Sequence, residues 1–191
     1  MPLSEYRRRR RSGRSPEPRG RRARQHRTTP AEPCFVIQHH AATSDHYDLR
    51  LEIGGVLASW AIPRGPSTNP KDRRMARRTE DHPLDYADFE GVIPDGEYGA
   101  GPVIVWDRGT YANATEREMA ECLDRGHLSF RLRGAKLCGG FALTRIREGR
   151  DETWLLIKRR DEHADARRKP AKSQPESVLS GRTLDDLAES S

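Results

Sequence analysis

A short polar segment combines side chains that bind metals with one that binds phosphate. His46, Asp48 and Arg50 alternate with apolar residues, and alternate side chains of a β-strand lie on the same face. His40 precedes His46 across a turn-like segment and would supply a second imidazole. Two nitrogens and one oxygen suit Mn²⁺, Fe²⁺ or Zn²⁺ better than Mg²⁺ or Ca²⁺, and the guanidinium matches phosphate oxygens. We predict a metal site on His40, His46 and Asp48 beside a phosphate-binding Arg50; the alternative is a solvated polar strand.

Two further segments carry side chains suited to phosphate chemistry. In the segment 80–86, His82 is a candidate acid or phosphate ligand and Tyr86 a candidate hydrogen-bond donor. The alternative is a loop histidine beside a proline turn. Arg64 lies between proline and glycine residues that would fix its direction. The glycine-rich segment 91–101 lacks both GxGxxG order and a following GK[ST], so it is interpreted as a set of turns.

The elements that would position these groups are mostly short strands. The segments 35–38, 46–53, 56–62, 103–106, 128–132, 141–146 and 154–158 are rich in β-forming residues and are separated by Gly, Pro, Asp and Asn. Paired Gly54 and Gly55 indicate a hairpin. The segment 116–124 predicts a helix, and Thr183 would cap another short helix. This pattern predicts a mainly β fold, a compact antiparallel β-barrel with one or two short helices.

Charge divides the chain into three parts. Residues 1–30 hold eleven arginines and two acids, a net charge of +9. Residues 31–158 hold 17 basic and 20 acidic residues, a net charge of −3, and the rest is neutral. We predict a basic amino-terminal arm (1–30) that is partly disordered or docked, a barrel domain (31–160) and a carboxy-terminal segment (161–191) that is a flexible tail or a docking peptide. A basic arm is typical of proteins that bind a phosphate backbone.

Composition excludes several classes of protein. No apolar run approaches the length of a membrane helix, and the arginine-rich start lacks the apolar stretch of a signal peptide. The three cysteines form no CxxC pair, which suits a reducing compartment. We expect a cytoplasmic protein with no membrane association, and a monomer.

Many ordered motifs resemble the 3′-phosphoesterase domain of bacterial DNA ligase D. They are FVIQHH from residue 35, HYDLRLE from 46, SWAIPRGPS from 59, EDHPLDY from 80, FEGVIPDGEYG from 89, WDRGTY from 106, GAKLCG from 134 and WLLIK from 154. The resemblance covers roughly residues 3–163. It implies a small manganese-dependent β-barrel that trims 3′ ends of DNA or RNA–DNA in non-homologous end joining with Ku. Such a domain removes a terminal ribonucleoside and then the 3′-phosphate, leaving a 3′-hydroxyl for a polymerase or ligase, which here would be separate chains.

The resemblance also assigns residues by position. It implies His40, His46 and Asp48 as ligands of Mn²⁺, with Zn²⁺ or another divalent transition metal as a substitute. Other residues would contact the phosphate or support those that do; these are Arg50, His82, Tyr86, Gln38, Arg64, Arg74, Glu80, Arg10 and Glu17.

The chain departs from the family pattern at two places. The family has an Asp–Phe pair where this chain has Arg11 and Ser12, and the acidic residue helps ribonucleoside removal. The resemblance therefore favours phosphate removal as the main activity. Arg64 replaces a lysine, which keeps the charge and changes its geometry.

Two alternative functions remain open on the sequence. The chain could be a non-catalytic module that binds DNA ends, which would share the charge pattern but leave the metal ligands unused. It could also be a two-His, one-carboxylate iron enzyme that uses His46, Asp48 and distal His82. The position of the metal ligands relative to the phosphate-binding residues distinguishes these functions.

Overall fold

The computed structural model describes residues 3–10, 13–20 and 32–191. The Arg11–Ser12 pair and residues 21–31 of the arm lie outside the described residues. The helices are α1 (Leu3–Arg9), α2 (Met119–Arg125), α3 (Pro170–Ser173) and α4 (Leu184–Glu189), with a 3₁₀ turn at Leu84–Asp88. The strands are β1 (Cys34–Ala41), β2 (Asp45–Ile53), β3 (Val56–Ile62), β4 (Arg74–His82), β5 (Gly91–Ile93), β6 (Gly101–Asn113), β7 (His127–Gly134), β8 (Cys138–Arg147) and β9 (Thr153–Lys158).

The strands form a closed antiparallel barrel, which confirms the predicted fold class. The order is β1-β2-β3-β4-β9-β8-β7-β6, and β6 also pairs with β1 and so closes the sheet. The short β5 adds to the edge of β6. Closure leaves the eight barrel strands without free edges. The predicted hairpin joins β2 to β3, where Gly54 and Gly55 take φ values of 62° and 82°, a region that favours glycine.

The barrel wall has an apolar cluster on each face. The inner core is built from every second residue of the strands, including Phe35, Ile37, Leu49, Leu51, Trp60, Trp106, Phe130 and Trp154. A smaller outer cluster consists of Tyr6, Val36, Leu57, Tyr86, Phe89, Ile93, Val103 and Val105. Val36 therefore faces outward between two inward residues, as strand alternation requires. The outer cluster is covered by α1 and the 3₁₀ turn, which bring the arm onto the barrel.

Strand β4 is an element that the sequence analysis missed. Its segment RMARRTEDH is dominated by charged residues, so it lacks the usual β signal. Ala76 is fully buried in the inner core, whereas Met75, Arg77 and Thr79 line a cavity outside the barrel. The segment is therefore a strand because its small inward residue fits the core, and His82 ends that strand instead of lying in a loop.

The carboxy-terminal segment packs on the barrel. Trp106 Nε1 and Lys136 Nζ donate hydrogen bonds to the carbonyl oxygen of Gln174 at 2.7 and 2.9 Å. The Val178 amide donates to the carbonyl of Val105, and Leu187 of α4 is buried. The predicted cap of α4 is present, because Thr183 and Asp186 form a capping box. Of the two alternatives, the structure has the docking peptide, which corrects the flexible tail.

Removal of residues 170–191 should therefore destabilise the barrel. The truncation removes the hydrogen bonds of Trp106 and Lys136 to Gln174, at about 0.5–1.5 kcal/mol each, and exposes the apolar surface that Val178 and Leu187 cover, at about 1.5–3 kcal/mol for a fully buried side chain. We expect the free energy of unfolding in urea to fall by about 3 kcal/mol or more. Removal of the exposed Ser191 alone is the control and should leave the midpoint unchanged. Equal midpoints for both truncations would show that the docking does not stabilise the fold.

None of the helices within residues 3–10, 13–20 and 32–191 combines the length and the apolar character needed to cross a membrane.

Candidate metal centre and phosphate pocket

The register of the first hairpin brings three potential metal ligands together. In the β1–β2 pair, His40 lies opposite His46, and Gln38 lies opposite Asp48. All four side chains belong to the outward positions of these strands. One ligand atom from each of His40, His46 and Asp48 lies within 4.8 Å of the others. We call these three residues the metal cluster.

Backbone carbonyls orient both imidazoles of the metal cluster. His40 Nε2 donates to the carbonyl oxygen of Gly99 at 2.7 Å, and His46 Nδ1 donates to that of Ser44 at 3.0 Å. The opposite nitrogens then face Asp48 Oδ2, with His40 Nδ1 at 3.8 Å and His46 Nε2 at 3.2 Å. Metal-binding histidines have this arrangement, because a hydrogen bond at one nitrogen fixes the tautomer and frees the other to bind.

The charges around Asp48 keep it ionised. Burial alone would raise the pKa of this carboxyl, but Arg50 and hydrogen bonds with His40 and His46 hold it well below its usual range. Burial lowers the pKa of His46, but the hydrogen bond to Asp48 and its negative charge outweigh this effect and raise it to about 9. A buried carboxylate that attracts positive charge from two sides is suited to a divalent cation. The donor set therefore fits a transition-metal ion.

Arg50 connects the metal cluster to the rest of the pocket. Its Nη2 lies 3.5 Å from Asp48 Oδ2, and its Nη1 lies 3.1 Å from His82 Nδ1. Its Nε donates to Gln38 Oε1 at 2.7 Å. Gln38 in turn donates from Nε2 to the carbonyls of Tyr86 and Phe89, so it fixes the guanidinium relative to the 3₁₀ turn. A rigid fork of this kind can bind two oxygens of one phosphate.

His82 is held in a buried aromatic cage. The rings of Tyr6 and Tyr86 pack edge-on against it, with centroids at 4.9 and 4.6 Å. Its Nδ1 donates to the Glu80 carbonyl at 2.9 Å, and the electron pair of its Nε2 faces Arg10 Nη2 at 3.5 Å. Burial and the neighbouring Arg50 and Arg10 hold the pKa of His82 well below its usual range, so the imidazole is neutral near pH 7.

The described part of the arm completes this pocket. Arg10 donates to Glu17 at 2.9 Å and to Glu80 at 3.2 Å. The Tyr86 hydroxyl donates to Glu17 Oε1 at 2.7 Å, and burial together with the charge of Glu17 raises the Tyr86 pKa well above its usual range. The guanidinium of Arg10 also packs on the Tyr6 ring, 4.0 Å from its centroid. The arm is thus bonded directly to two residues of the barrel site.

The structure gathers most of the candidate residues from the sequence around one cavity of about 610 Å³. Its lining includes His40, His46, Asp48, Arg50, His82, Tyr86, Arg10 and Glu80. Gln38 and Glu17 are buried behind it and support Arg50 and Tyr86. Arg64 and Arg74 do not line the cavity. Arg64 is exposed, and Arg74 lies 3.5 Å from Asp72.

Sequence reasoning missed several groups of the cavity. Met75 and Arg77 line it from β4, and the alternation of this charged strand could have revealed them. Tyr98 and the Gly99 carbonyl come from the glycine-rich segment, which was interpreted as turns alone. Arg9 donates to the Tyr98 hydroxyl. These contacts join segments far apart in the chain, so only the folded arrangement identifies them.

The protein is a closed barrel that carries, on the outer wall of its sheet, a histidine–aspartate cluster beside the guanidinium of Arg50. A sequence model of the DNA ligase D 3′-phosphoesterase domain matches residues 38–145, more than half of the chain. The chain belongs to this family.

Three similar proteins cover most of this chain. The multifunctional non-homologous end joining protein LigD of Pseudomonas aeruginosa is 48% identical over 186 residues, 96% of this chain. The corresponding DNA repair protein of Mycobacterium tuberculosis is 43% identical over 159 residues, 80% of the chain, and that of Mycolicibacterium smegmatis is 41% identical over 133 residues, 67% of it. The matched part is 22%, 19% and 17% of these proteins. The chain therefore spans about a fifth of their length.

Proposed function

We propose that this protein is a metal-dependent phosphoesterase that removes the phosphate from 3′ ends of DNA or RNA–DNA. The observation that carries the proposal is the contact of Arg50 with Asp48 on one side and His82 on the other. It supports the proposal because the guanidinium that would bind the phosphate lies between the metal cluster and the imidazole of His82. Membership of the 3′-phosphoesterase family supports the reaction type.

His40, His46 and Asp48 would hold the metal, with Mn²⁺ as the proposed ion and Zn²⁺ as a substitute. When bound, a divalent ion polarises a phosphate oxygen and lowers the pKa of a coordinated water. The chain supplies the remaining functions. Gly99 and Ser44 orient the imidazoles through their carbonyls, and Asp48 stays ionised beside Arg50.

Arg50 and His82 would act on the phosphate itself. The guanidinium neutralises the charge on the non-bridging oxygens, which is usually the largest contribution to phosphoryl transfer. Water adds to phosphorus, the bond to the 3′ oxygen breaks, and the products are inorganic phosphate and a 3′-hydroxyl. A bound phosphate dianion would offset the charges of Arg50 and Arg10, so His82 Nε2 could then carry a proton for the leaving oxygen.

Removal of a terminal ribonucleoside is the finer part of the proposal. Arg10 lines the pocket and is held there by Glu17, so its guanidinium could bind the ribose end of such a substrate. The Arg11–Ser12 pair, which replaces the acidic residue of the family, lies outside the described residues. We therefore propose phosphate removal as the main reaction and ribonucleoside removal as the weaker one.

The setting of the reaction follows from the relatives. Their names place them in non-homologous end joining, and we propose the same setting here, with Ku and a ligase or polymerase as partners. The basic arm would attract the duplex through its phosphates. The iron-enzyme alternative loses its ligand set, because His82 donates from Nδ1 to the Glu80 carbonyl and faces Arg10 with Nε2, and because the ligands grouped among the described residues are those of the metal cluster.

The direct test uses a primer–template whose primer ends in a 3′-phosphate. We expect release of inorganic phosphate with Mn²⁺ and none with EDTA, because EDTA removes the ion that would activate the attacking water. A primer that ends in a 3′ ribonucleotide should react more slowly. Tight binding of both duplexes without hydrolysis, across Mn²⁺, Zn²⁺ and Co²⁺, would favour the non-catalytic end-binding module instead.

A further inference from the structure

Two exposed apolar side chains lie at the cavity of the proposed active site. In the part of the chain that the structure describes, the exposed large hydrophobic residues are Met75, Tyr98, Ile146 and Leu179. Met75 and Tyr98, which are 45% and 47% exposed, line the cavity that holds the metal cluster. Apolar side chains that are exposed inside a polar, charged cavity indicate a surface that a bound ligand would cover.

Tyr98 is held in a fixed position in this cavity. Arg9 of α1 donates to its hydroxyl, and the guanidinium carbon of Arg9 lies 4.7 Å from the ring centroid. The next residue, Gly99, accepts the hydrogen bond of His40 at 2.7 Å. The ring is thus one residue from a direct contact with the metal cluster, and nearly half of it stays accessible. An aromatic ring held in this way is preorganised for a flat partner.

Strand β4 contributes further side chains to the same cavity. Met75 and Arg77 occupy alternate outward positions of this strand and both line the cavity. A thioether packs favourably on flat rings. Arg77 is exposed, and no ion pair joins it to another described residue, so its charge is available to a phosphodiester. The cavity therefore offers an aromatic ring, a thioether and a cation next to the phosphate pocket.

We propose that Tyr98 stacks on the nucleobase of the nucleotide that carries the 3′-phosphate, with Met75 against the same base and Arg77 facing the adjoining backbone. This inference rests on the proposed function, because a 3′-phosphate bound by Arg50 would place the base. Every nucleobase has a flat face, so stacking would hold the end without selecting a sequence. The repair of arbitrary ends requires that kind of recognition.

Tyr98 has a second role, which the experiment must separate from stacking: its hydroxyl accepts a hydrogen bond from Arg9 and so holds α1 against the cavity. The variant Tyr98→Phe keeps the ring and removes the hydroxyl, whereas Tyr98→Ala removes both. If the base stacks, Tyr98→Phe behaves as wild type and Tyr98→Ala does not. If the residue only anchors α1, the two variants are impaired alike. Ile146→Ala is the control, since Ile146 is also an exposed apolar side chain, 58% exposed against 47% for Tyr98, and does not line the cavity.

The experiment compares two 3′-phosphate primer–templates, one with a terminal base and one with an abasic tetrahydrofuran at the same position. For wild type we expect KM to be about 10-fold lower with the base, the effect of one stacked base. Tyr98→Ala should raise KM about 10-fold for the base-bearing end, leave the abasic end unchanged and alter kcat little. Equal KM values for the two ends in wild type, or equal losses on both in Tyr98→Ala, would overturn the inference.

A binding measurement without metal separates this inference from the proposed function. A primer with 2-aminopurine at its 3′-phosphate end should lose fluorescence when it binds wild type in EDTA, and not when it binds Tyr98→Ala. Binding without that loss in wild type would overturn the stacking. Failure of wild type to hydrolyse either end would overturn the proposed function alone, because the fluorescence still decides whether the base stacks.

Discussion

Replacement of His46 by alanine should lower the rate of 3′-phosphate release by at least about 100-fold. His46 Nε2 lies 3.2 Å from Asp48 Oδ2, with its tautomer fixed by the Ser44 carbonyl, so the variant removes one of three proposed ligands. His40 and Asp48 alone would bind the metal weakly. Calorimetric titration should show weaker Mn²⁺ binding by about 100-fold or more.

The control for this prediction is His127→Ala. His127 is exposed on β7 and bonds to Thr144, far in the chain from the metal cluster, so its loss should leave both activity and Mn²⁺ binding unchanged. The unfolding midpoints of both variants should stay close to wild type, because His46 is itself partly exposed. Undiminished phosphate release by His46→Ala would show that the metal cluster has been assigned wrongly.

The sequence predicts the metal cluster because that part of the site is local. His40, His46 and Asp48 lie in one hairpin, so alternation and a short turn are enough to bring them together. The barrel class is predictable for the same reason, since most strands show the apolar pattern of two-residue period. Strand β4 departs from that pattern because its inward residues are the small Ala76 and the charged Arg78, whose guanidinium lies over the Trp60 ring. The outward residues of the strand line the cavity.

The contacts of the arm depend on long-range packing and cannot be predicted from strand alternation or other local sequence patterns. Glu17 meets Tyr86, and Arg9 meets Tyr98, only after α1 covers the outer cluster. The sequence shows a basic, glycine- and proline-containing segment, which is equally typical of disorder. The resemblance to the family placed Arg10 and Glu17 among the functional residues, but the hydrogen bonds through which they reach Tyr86 and Glu80 come from the structure.

The docking of the carboxy-terminal segment on the barrel also cannot be predicted from local sequence patterns. The segment's hydrogen bonds to Trp106 of β6 and to Lys136 use the backbone carbonyl of Gln174, and a backbone carbonyl, which every residue has, gives no sequence signal. Only the Thr183 cap has a local signal, and that element was predicted. Local signals thus identify elements, whereas docking depends on surfaces that several distant segments build together.

Arg50 is the residue whose conservative replacement should be most informative. Arg50→Lys keeps one positive charge next to Asp48, but a single ammonium cannot replace a fork that contacts Asp48, His82 and Gln38 at the same time. We expect kcat/KM for 3′-phosphate release to fall by about 100-fold or more, the usual effect of removing a preorganised donor to a transition-state oxygen. A pocket that needed only charge would tolerate the lysine.

The comparison of Arg50→Lys with Arg108→Lys isolates geometry from charge. Arg108 forms an exposed ion pair with Asp88, so its replacement should change neither stability nor activity by much. Calorimetry should show that Arg50→Lys still binds Mn²⁺ within about 10-fold of wild type, because the three ligands stay in place and the local net charge is the same. A loss of turnover with metal binding retained assigns Arg50 to the phosphate. Turnover within about 3-fold of wild type would contradict this role, and a parallel loss of metal binding would instead make Arg50 a support of Asp48.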